Sequence, residues 1–317
     1  MNPSMTQELQ QSDPYVAYMK ALHWRVETID GIHIYYRHFP LWGGFAKMQR
    51  FNTLPHLQKI QHFIKTKKIK RFVIESGQGL RQDQFFSFVA ELKKYVTVAS
   101  SPYLASKTLI LNPTLELPIL FNTFTEAKKR AVKRAIKNHV HVIESNNVED
   151  MIFIKNKSAG LFGFITTSGL KQLWESFGTH HTRILLAYTQ PMVQDESADT
   201  TTIFDKTQSL VGSSTRSVSP IFNNKQALLG GIFLIFWGDT AYYWIAGATK
   251  NGKKLAAPTL LVWEALKVAK ANHMKQFDFV GIWDDRFPKE SKDWLGFTKF
   301  KQGFGGKIVY YPIHRTL

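Results

Sequence analysis

The last fifth of this chain switches its apolar period repeatedly, and the order of those switches limits what it can fold into. A helical pattern runs from Pro258 to Asn272. A short buried strand from Gln276 to Val280 ends at Gly281, and a loop rich in Trp and Asp follows. The segment Phe300-Lys301-Gln302-Gly303-Phe304-Gly305-Gly306 then precedes a last strand, Lys307 to Tyr311. A helical repeat does not sit as a strand, nor a strand repeat as a helix, so both element types must alternate here. The glycines allow close approach of the backbone. A lysine set between aromatic rings could hold a cation against a polarised carbonyl. The plainer alternative is an edge strand with solvated lysines closing on a glycine turn.

The same mixture runs through the rest of the chain. A hairpin is expected over 24–39 around Asp30-Gly31, and a helix over Leu54–Lys65 with Pro55 at its start. Arg71–Glu75 reads as a strand, and Gln82–Lys94 as a helix with Phe85, Phe86, Val89 and Leu92 inward. Leu104–Leu111 is another strand. Thr123 and Glu126 form a capping box that opens a helix running to Asn138, followed by a strand at Val140–Glu144. Helical patterns near 147–157 and 167–177 lead to a strand at Arg183–Tyr188. Gly231–Trp237 and Ala241–Gly247 form a hairpin over Gly238-Asp239. This pattern predicts an α/β (α+β) architecture with a twisted mixed sheet in each half. Residues 194–220, rich in Ser, Thr and Asp, are expected to form a loop or mobile excursion.

Charge narrows the partners. Lys and Arg total 41 against 24 Asp and Glu, a net +17 spread over both halves. That balance suits a polyanion such as RNA, a phosphorylated precursor or an anionic membrane face. The chain has no cysteine, which excludes thiol chemistry, disulfides and Cys-based zinc sites. The polar start, Met1 to Asp13, carries no signal-peptide core. The most apolar run, Leu228 to Trp237, falls short of the ~20 residues a membrane span needs. The paired histidines His139 with His141 and His180 with His181 lack a third ligand at metal spacing. Ser213 and Ser214 lack a nucleophile elbow.

The C-terminal motifs resemble those of the FemABX family, aminoacyl-tRNA-dependent transferases that extend the peptide stem of peptidoglycan precursors. Three stretches carry the resemblance. They are Leu260-Leu261-Val262-Trp263-Glu264 with Ala269-Lys270, Asp278-Phe279-Val280-Gly281-Ile282, and Phe300-Lys301-Gln302-Gly303-Phe304-Gly305-Gly306. The basic segment Lys128-Lys129-Arg130 through Lys137 and the stretch from Leu173 to Gly178 are similar in the same way. The resemblance implies two GNAT-like domains. Residues 1–147 would bind the precursor, and 148–317 would bind the donor and carry catalysis. The coiled-coil arm common in the family has no counterpart in the heptad pattern. Aminoacyl-tRNA and a nucleotide- or lipid-linked muramyl peptide are the implied partners. A cytoplasmic monomer with peripheral contact at the inner membrane face is expected, and no cofactor is implied.

Candidate residues follow from these readings. Lys301 is the expected catalytic cation, opposite the oxyanion that forms when an amine attacks an ester. Asp278 is a candidate base or a buried structural carboxylate. Under the resemblance Phe300 packs on the terminal ribose of tRNA, with Phe304 and Gly305 beside it. Arg130, Lys133 and Arg134 lie with Lys137 on one stripe of a helix and could meet tRNA phosphates. Lys47, Arg50, Lys20 and Lys171 are candidates for the precursor's pyrophosphate. Asp284 and Asp285 could bind a lysine but make a poor metal cage. An acyl-CoA donor would need a glycine-rich turn opening its helix. Asn251-Gly252-Lys253-Lys254-Leu255-Ala256 only approximates one, which counts against that donor and leaves an acyl-CoA-dependent N-acyltransferase as the alternative. A non-catalytic RNA-binding protein is another.

Overall fold

The computed structural model describes residues 7–159, 167–189 and 228–314. The predicted loop over 194–220 lies outside the described residues. Two mixed sheets organise the chain. The first has the order β1 to β5, formed by β1 (Arg25–Ile29), β2 (Ile32–Phe39), β3 (Gly43–Phe51), β4 (Ile69–Ser76) and β5 (Thr97–Val98). Strands β1 to β3 are antiparallel neighbours, and β3, β4 and β5 run parallel through α2 (Leu57–Thr66) and α3 (Gln82–Leu92). Short loops join antiparallel strands, whereas parallel ones need a crossover such as a helix. Ile60, Phe63, Phe85, Val89 and Leu92 from these helices pack on Ile34, Met48, Phe72 and Ile74. On α3 Phe85, Val89 and Leu92 face inward as expected, but the fourth inward ring is Phe88, and Phe86 is exposed.

The second sheet has seven strands in the order β12-β6-β11-β10-β9-β8-β7. They are β6 (Lys107–Leu111), β7 (Val140–Ser145), β8 (Thr182–Thr189), β9 (Leu228–Trp237), β10 (Thr240–Ala248), β11 (Gln276–Asp278) and β12 (Lys307–Tyr310). Residues 228 to 236 of β9 are buried throughout, as befits a central strand covered on both faces. One face is covered by α4 (Leu117–Asn122), α5 (Glu126–Lys137) and α9 (Ala257–Ala271), whose Leu260, Leu261, Ala265 and Leu266 reach the sheet. The other is covered by α1 (Asp13–Ala21), α6 (Val148–Ala159) and α7 (Leu170–His181). Tyr35 of the first sheet joins that second layer, where its hydroxyl donates to Gln10 O at 2.7 Å.

Sheet membership does not change at residue 147. Strands β6 and β7 both belong to the second sheet, and α1 packs on its helical layer, so the sheets change over between Val98 and Lys107. The expected capping box does not form. Thr125 is the N-cap of α5, and Thr123 ends α4, donating its hydroxyl to Leu120 O at 2.8 Å and Phe304 O at 2.9 Å. The expected hairpins over Asp30-Gly31 and Gly238-Asp239 are present. The longest helix, α9, has 15 residues, and among the described residues there is no coiled-coil arm. Among them also, no helix is long and apolar enough to cross a membrane.

Candidate active site

Parallel strands β10 and β11 pair only from Thr240–Gln276 to Tyr242–Asp278. Beyond that point β10 continues beside β9 to Ala248, while the chain leaving β11 turns away at Val280-Gly281. The splay opens a cavity of about 690 Å³. Its walls include Tyr243 to Ala248 of β10, Lys128 and Arg134 of α5, and Phe297, Phe300 and Lys301 of α10 (Leu295–Gln302). The turn that bounds it is strained, since Val280 has φ 54°, a region β-branched residues rarely enter. Gly281, at φ 117°, has no room for a side chain. A Cβ there would lie 2.7 Å from Ala105 Cβ and 2.8 Å from the Trp294 ring.

The cavity is cationic. Lys128, Arg134, Lys155, Lys253 and Lys301 line it, and among the described residues no Asp or Glu does. The ammonium of Lys301 donates to Phe279 O at 2.8 Å and Gly281 O at 2.5 Å and lies 5.8 Å from the Tyr243 ring centre. Burial pushes its pKa down to about 8, against the pull of Asp278. A lysine ammonium carries three donors, so one is left for a group in the cavity. Lys128 lies 3.6 Å from the centre of the Phe300 ring, and burial lowers its pKa to about 8 as well. Lys155 is brought in by a close approach of backbone. A Cβ at Gly247 would be 2.9 Å from Lys155 Cα, so only glycine lets α6 lie that near β10. Burial lowers the Lys155 pKa too.

Behind the Val280-Gly281 turn, smaller cavities of about 290 and 50 Å³ lie between the sheets and are lined by Glu8, Tyr242, Asp278 and Tyr311. Asp278 is buried at the end of β11. It accepts from the Thr108 hydroxyl and from Val280 N–H at 2.7 Å. Burial raises its pKa, opposed by those bonds and by Arg50 and Lys301. Thr108 Oγ1 in turn accepts from Gly281 N–H at 3.1 Å. Asp278, Thr108, Gly281 and Lys301 thus form one continuous chain of hydrogen bonds. Arg50 donates to Ser76 O at 3.2 Å and Ala105 O at 2.6 Å, with its guanidinium 3.3 Å from the centre of the Tyr311 ring.

The expected site residues are thereby sorted. Lys301, Phe300 and Arg134 come together in the large cavity. Lys301 sits in the last turn of a helix, not on a strand edge. Phe304 is fully buried and meets Phe300 edge-on at 5.2 Å, so it supports that ring from beneath and does not line the cavity. Gly305, at φ 83°, packs on Thr123 O, where a Cβ would lie at 2.8 Å. Arg130 and Lys133 are exposed on α5 outside the cavity. Lys47 stands over Trp24 at 4.4 Å in the first sheet. Arg50 is buried between the sheets. Lys20 and Lys171 are exposed on α1 and α7, and Lys171 lies 3.8 Å from Glu149. These four do not converge. Asp284 pairs with Arg286 and Asp285 with Lys107. Among the described residues, no group of His, Asp or Glu is placed to hold a metal.

Sequence reading missed Lys155, Phe297 and the contact of Lys128 with Phe300. The weak glycine turn at 251–256 resolves into a short helix, α8 (Lys250–Lys254). Its amides are used internally. Gly252 N–H donates to Thr249 Oγ1, Lys253 N–H to Thr249 O, and Leu255 N–H to Asn251 O. The missing side chain of Gly252 serves packing, since a Cβ would fall 2.1 Å from Leu229 O.

Residues 213–312 match the family described as the FemAB family. The fold is similar to that of a solved structure titled FemX, with a TM-score of 0.66 at 13% identity, covering 97% of this chain and 91% of that one. The C-terminal domain of a putative lysylphosphatidylglycerol synthetase from Agrobacterium fabrum aligns with a TM-score of 0.54 at 8% identity, over 96% of this chain and 87% of that one. L-PGS from Bacillus licheniformis aligns with a TM-score of 0.51 at 8% identity, over 98% and 92%. No curated protein matches the chain.

Proposed function

We propose that this chain, a FemABX-family protein by its match over residues 213–312 and its FemX-like fold, moves an amino acid from aminoacyl-tRNA to an amine of a peptidoglycan stem peptide. The observation that carries the reading is the charge of the large cavity: five cations, no described carboxylate, and two aromatic rings on one wall. An RNA end brings phosphates and stackable rings, and such a lining suits both. Phe297 and Phe300 are the stacking surfaces in this reading. Lys128 and Arg134 meet phosphate, and Lys301 faces the ester.

The chemistry follows from the position of Lys301. The acceptor nitrogen attacks the ester carbonyl and forms the new C–N bond. The carbonyl oxygen carries negative charge until the C–O bond to ribose breaks, and the proton lost from nitrogen ends on the ribose oxygen. A preorganised ammonium stabilises that oxyanion. With a pKa of about 8, Lys301 can also pass a proton to the leaving oxygen near neutral pH. Asp278 acts as a positioning residue, because its bonds to Thr108 and Val280 fix the turn whose carbonyls hold Lys301. An acyl-CoA donor is disfavoured, since the amides of α8 that would cradle a pyrophosphate are already paired. In this reading catalysis occurs in the cytoplasm, where charged tRNA is made.

The test is incubation with labelled aminoacyl-tRNAs and a nucleotide-linked muramyl pentapeptide, then with a lipid-linked one. Label in the peptide that Lys301→Met abolishes supports the reading. No label in either acceptor overturns it.

A further inference from the structure

The hairpin between β2 and β3 ends in Phe39-Pro40-Leu41-Trp42-Gly43-Gly44. Leu41 is 93% exposed, Trp42 82% and Phe39 37%. This is a projecting apolar tip, and the fold holds it out. Phe39 pairs with Gly43 across the strands, and Trp42 N–H donates to Phe39 O at 3.2 Å, so the turn is closed. Beside the tip lies a strongly basic run, Lys65-Thr66-Lys67-Lys68-Ile69-Lys70-Arg71. Ile69 pairs with Gly44, and the Lys70 side chain lies where a Gly43 Cβ would be, with its Cγ 2.7 Å away. Lys65, Lys68, Lys70 and Arg71 are exposed. Of the run, only Lys67 has an ion pair among the described residues, with Glu27 at 3.2 Å.

We propose that this tip is a wedge that docks the protein on an anionic phospholipid surface. Trp and Leu enter the interfacial region while the adjoining lysines meet headgroup phosphates. Charge complementarity selects this occupant, because a neutral or basic partner gains nothing from the basic run. Size argues against a protein partner, since a stable interface buries about 800 Å² on each side and three side chains at a hairpin tip offer far less. The inference deepens the transfer reading, since a docked protein would meet a lipid-linked acceptor where it resides. Its test needs no transfer, so the two can fail separately.

The test is cosedimentation of the full chain with vesicles of phosphatidylcholine, alone or mixed with phosphatidylglycerol. The proposal expects binding to the mixed vesicles only, weakened by salt. Leu41→Ser/Trp42→Ser should weaken it about a hundredfold, as loss of two buried apolar side chains implies. Lys68→Glu/Lys70→Glu should abolish the preference for phosphatidylglycerol. These exposed side chains are outside the large cavity, and an unchanged melting temperature confirms an intact fold. Equal binding by the tip variant, binding to neither vesicle, or a dimer in light scattering that the tip variant dissolves would each overturn the proposal.

Discussion

Replacing Lys301 by Met separates catalysis from folding. The pKa of Lys301 falls from 10.5 to about 8. At roughly 1.4 kcal/mol per pH unit, burial disfavours its charged form by about 3 kcal/mol. That cost is present in full below about pH 8, where folded and unfolded chains are both protonated. Between about 8 and 10.5 the unfolded chain binds more protons, so the cost fades and stability rises with pH. Methionine has a similar shape and removes the cost. It also leaves Phe279 O and Gly281 O without their donor, at about 1–3 kcal/mol each. The terms nearly cancel, so the melting temperature should move by only a few degrees (about 4–8 °C per kcal/mol in small domains, less in a chain this long). Loss of a preorganised oxyanion donor, by contrast, lowers kcat about 10²- to 10³-fold. Steady-state transfer and calorimetry on the same preparation provide the assay. In the parent protein the rate should fall as pH rises through about 8, because the active form is the ammonium. A Lys301→Met protein that turns over like the parent, or a parent rate that does not fall above pH 8, would refute the assigned role.

Other consequences can be checked directly. Phe300→Ala removes the ring beneath Lys128 and a stacking face, and should raise KM for the aminoacyl-tRNA about tenfold or more, measured by initial rates. Gly281→Ala meets Ala105 and the Trp294 ring at a positive φ and should cost about 2–4 kcal/mol in denaturant unfolding. The Asp278 carboxyl has a raised pKa, so the folded chain holds a proton that the unfolded one has lost. Stability therefore falls as pH rises through that window, and Asp278→Asn should flatten the slope in a melting series. Arg130→Gln and Lys133→Gln should each reduce the salt dependence of RNA binding, by about 0.7 in the log–log slope for single strands, while leaving kcat unchanged.

Local signals foretold many of the elements and their order, because hairpin turns and helical periods are written in neighbouring residues, but they gave no sign of α1, β3, β5 or α4. The site was legible where a motif marked it, as at Lys301 and Phe300. Its remaining cations were not. Lys155 has no local mark, since what makes it part of the cavity is a glycine far along the chain, Gly247, that admits its helix. Lys128 is in sequence only one cation of the family-like basic segment, and packing on Phe300 alone distinguishes it. The helical state of α10 was obscured by the aromatic and glycine content that suggested a strand edge. Phe304 carried the same motif signal as Phe300, but the motif does not say which ring faces the core. The inter-sheet cluster around Arg50 depends on pairings between distant segments, which a single sequence does not display.

The seven-stranded sheet has a consequence for the order in which the molecule is made. Strand β6 lies between β11 and β12, although most of the sheet separates it from them in sequence. During synthesis the first sheet, complete by Val98, can form from contacts close in sequence. Strand β6 must wait unpaired until residues 276–310 emerge. Loop closure over such distances is slow, and an apolar strand left with both edges open invites wrong partners. A ribosome paused before residue 276 would therefore carry a folded first sheet and a strand that chaperones can bind.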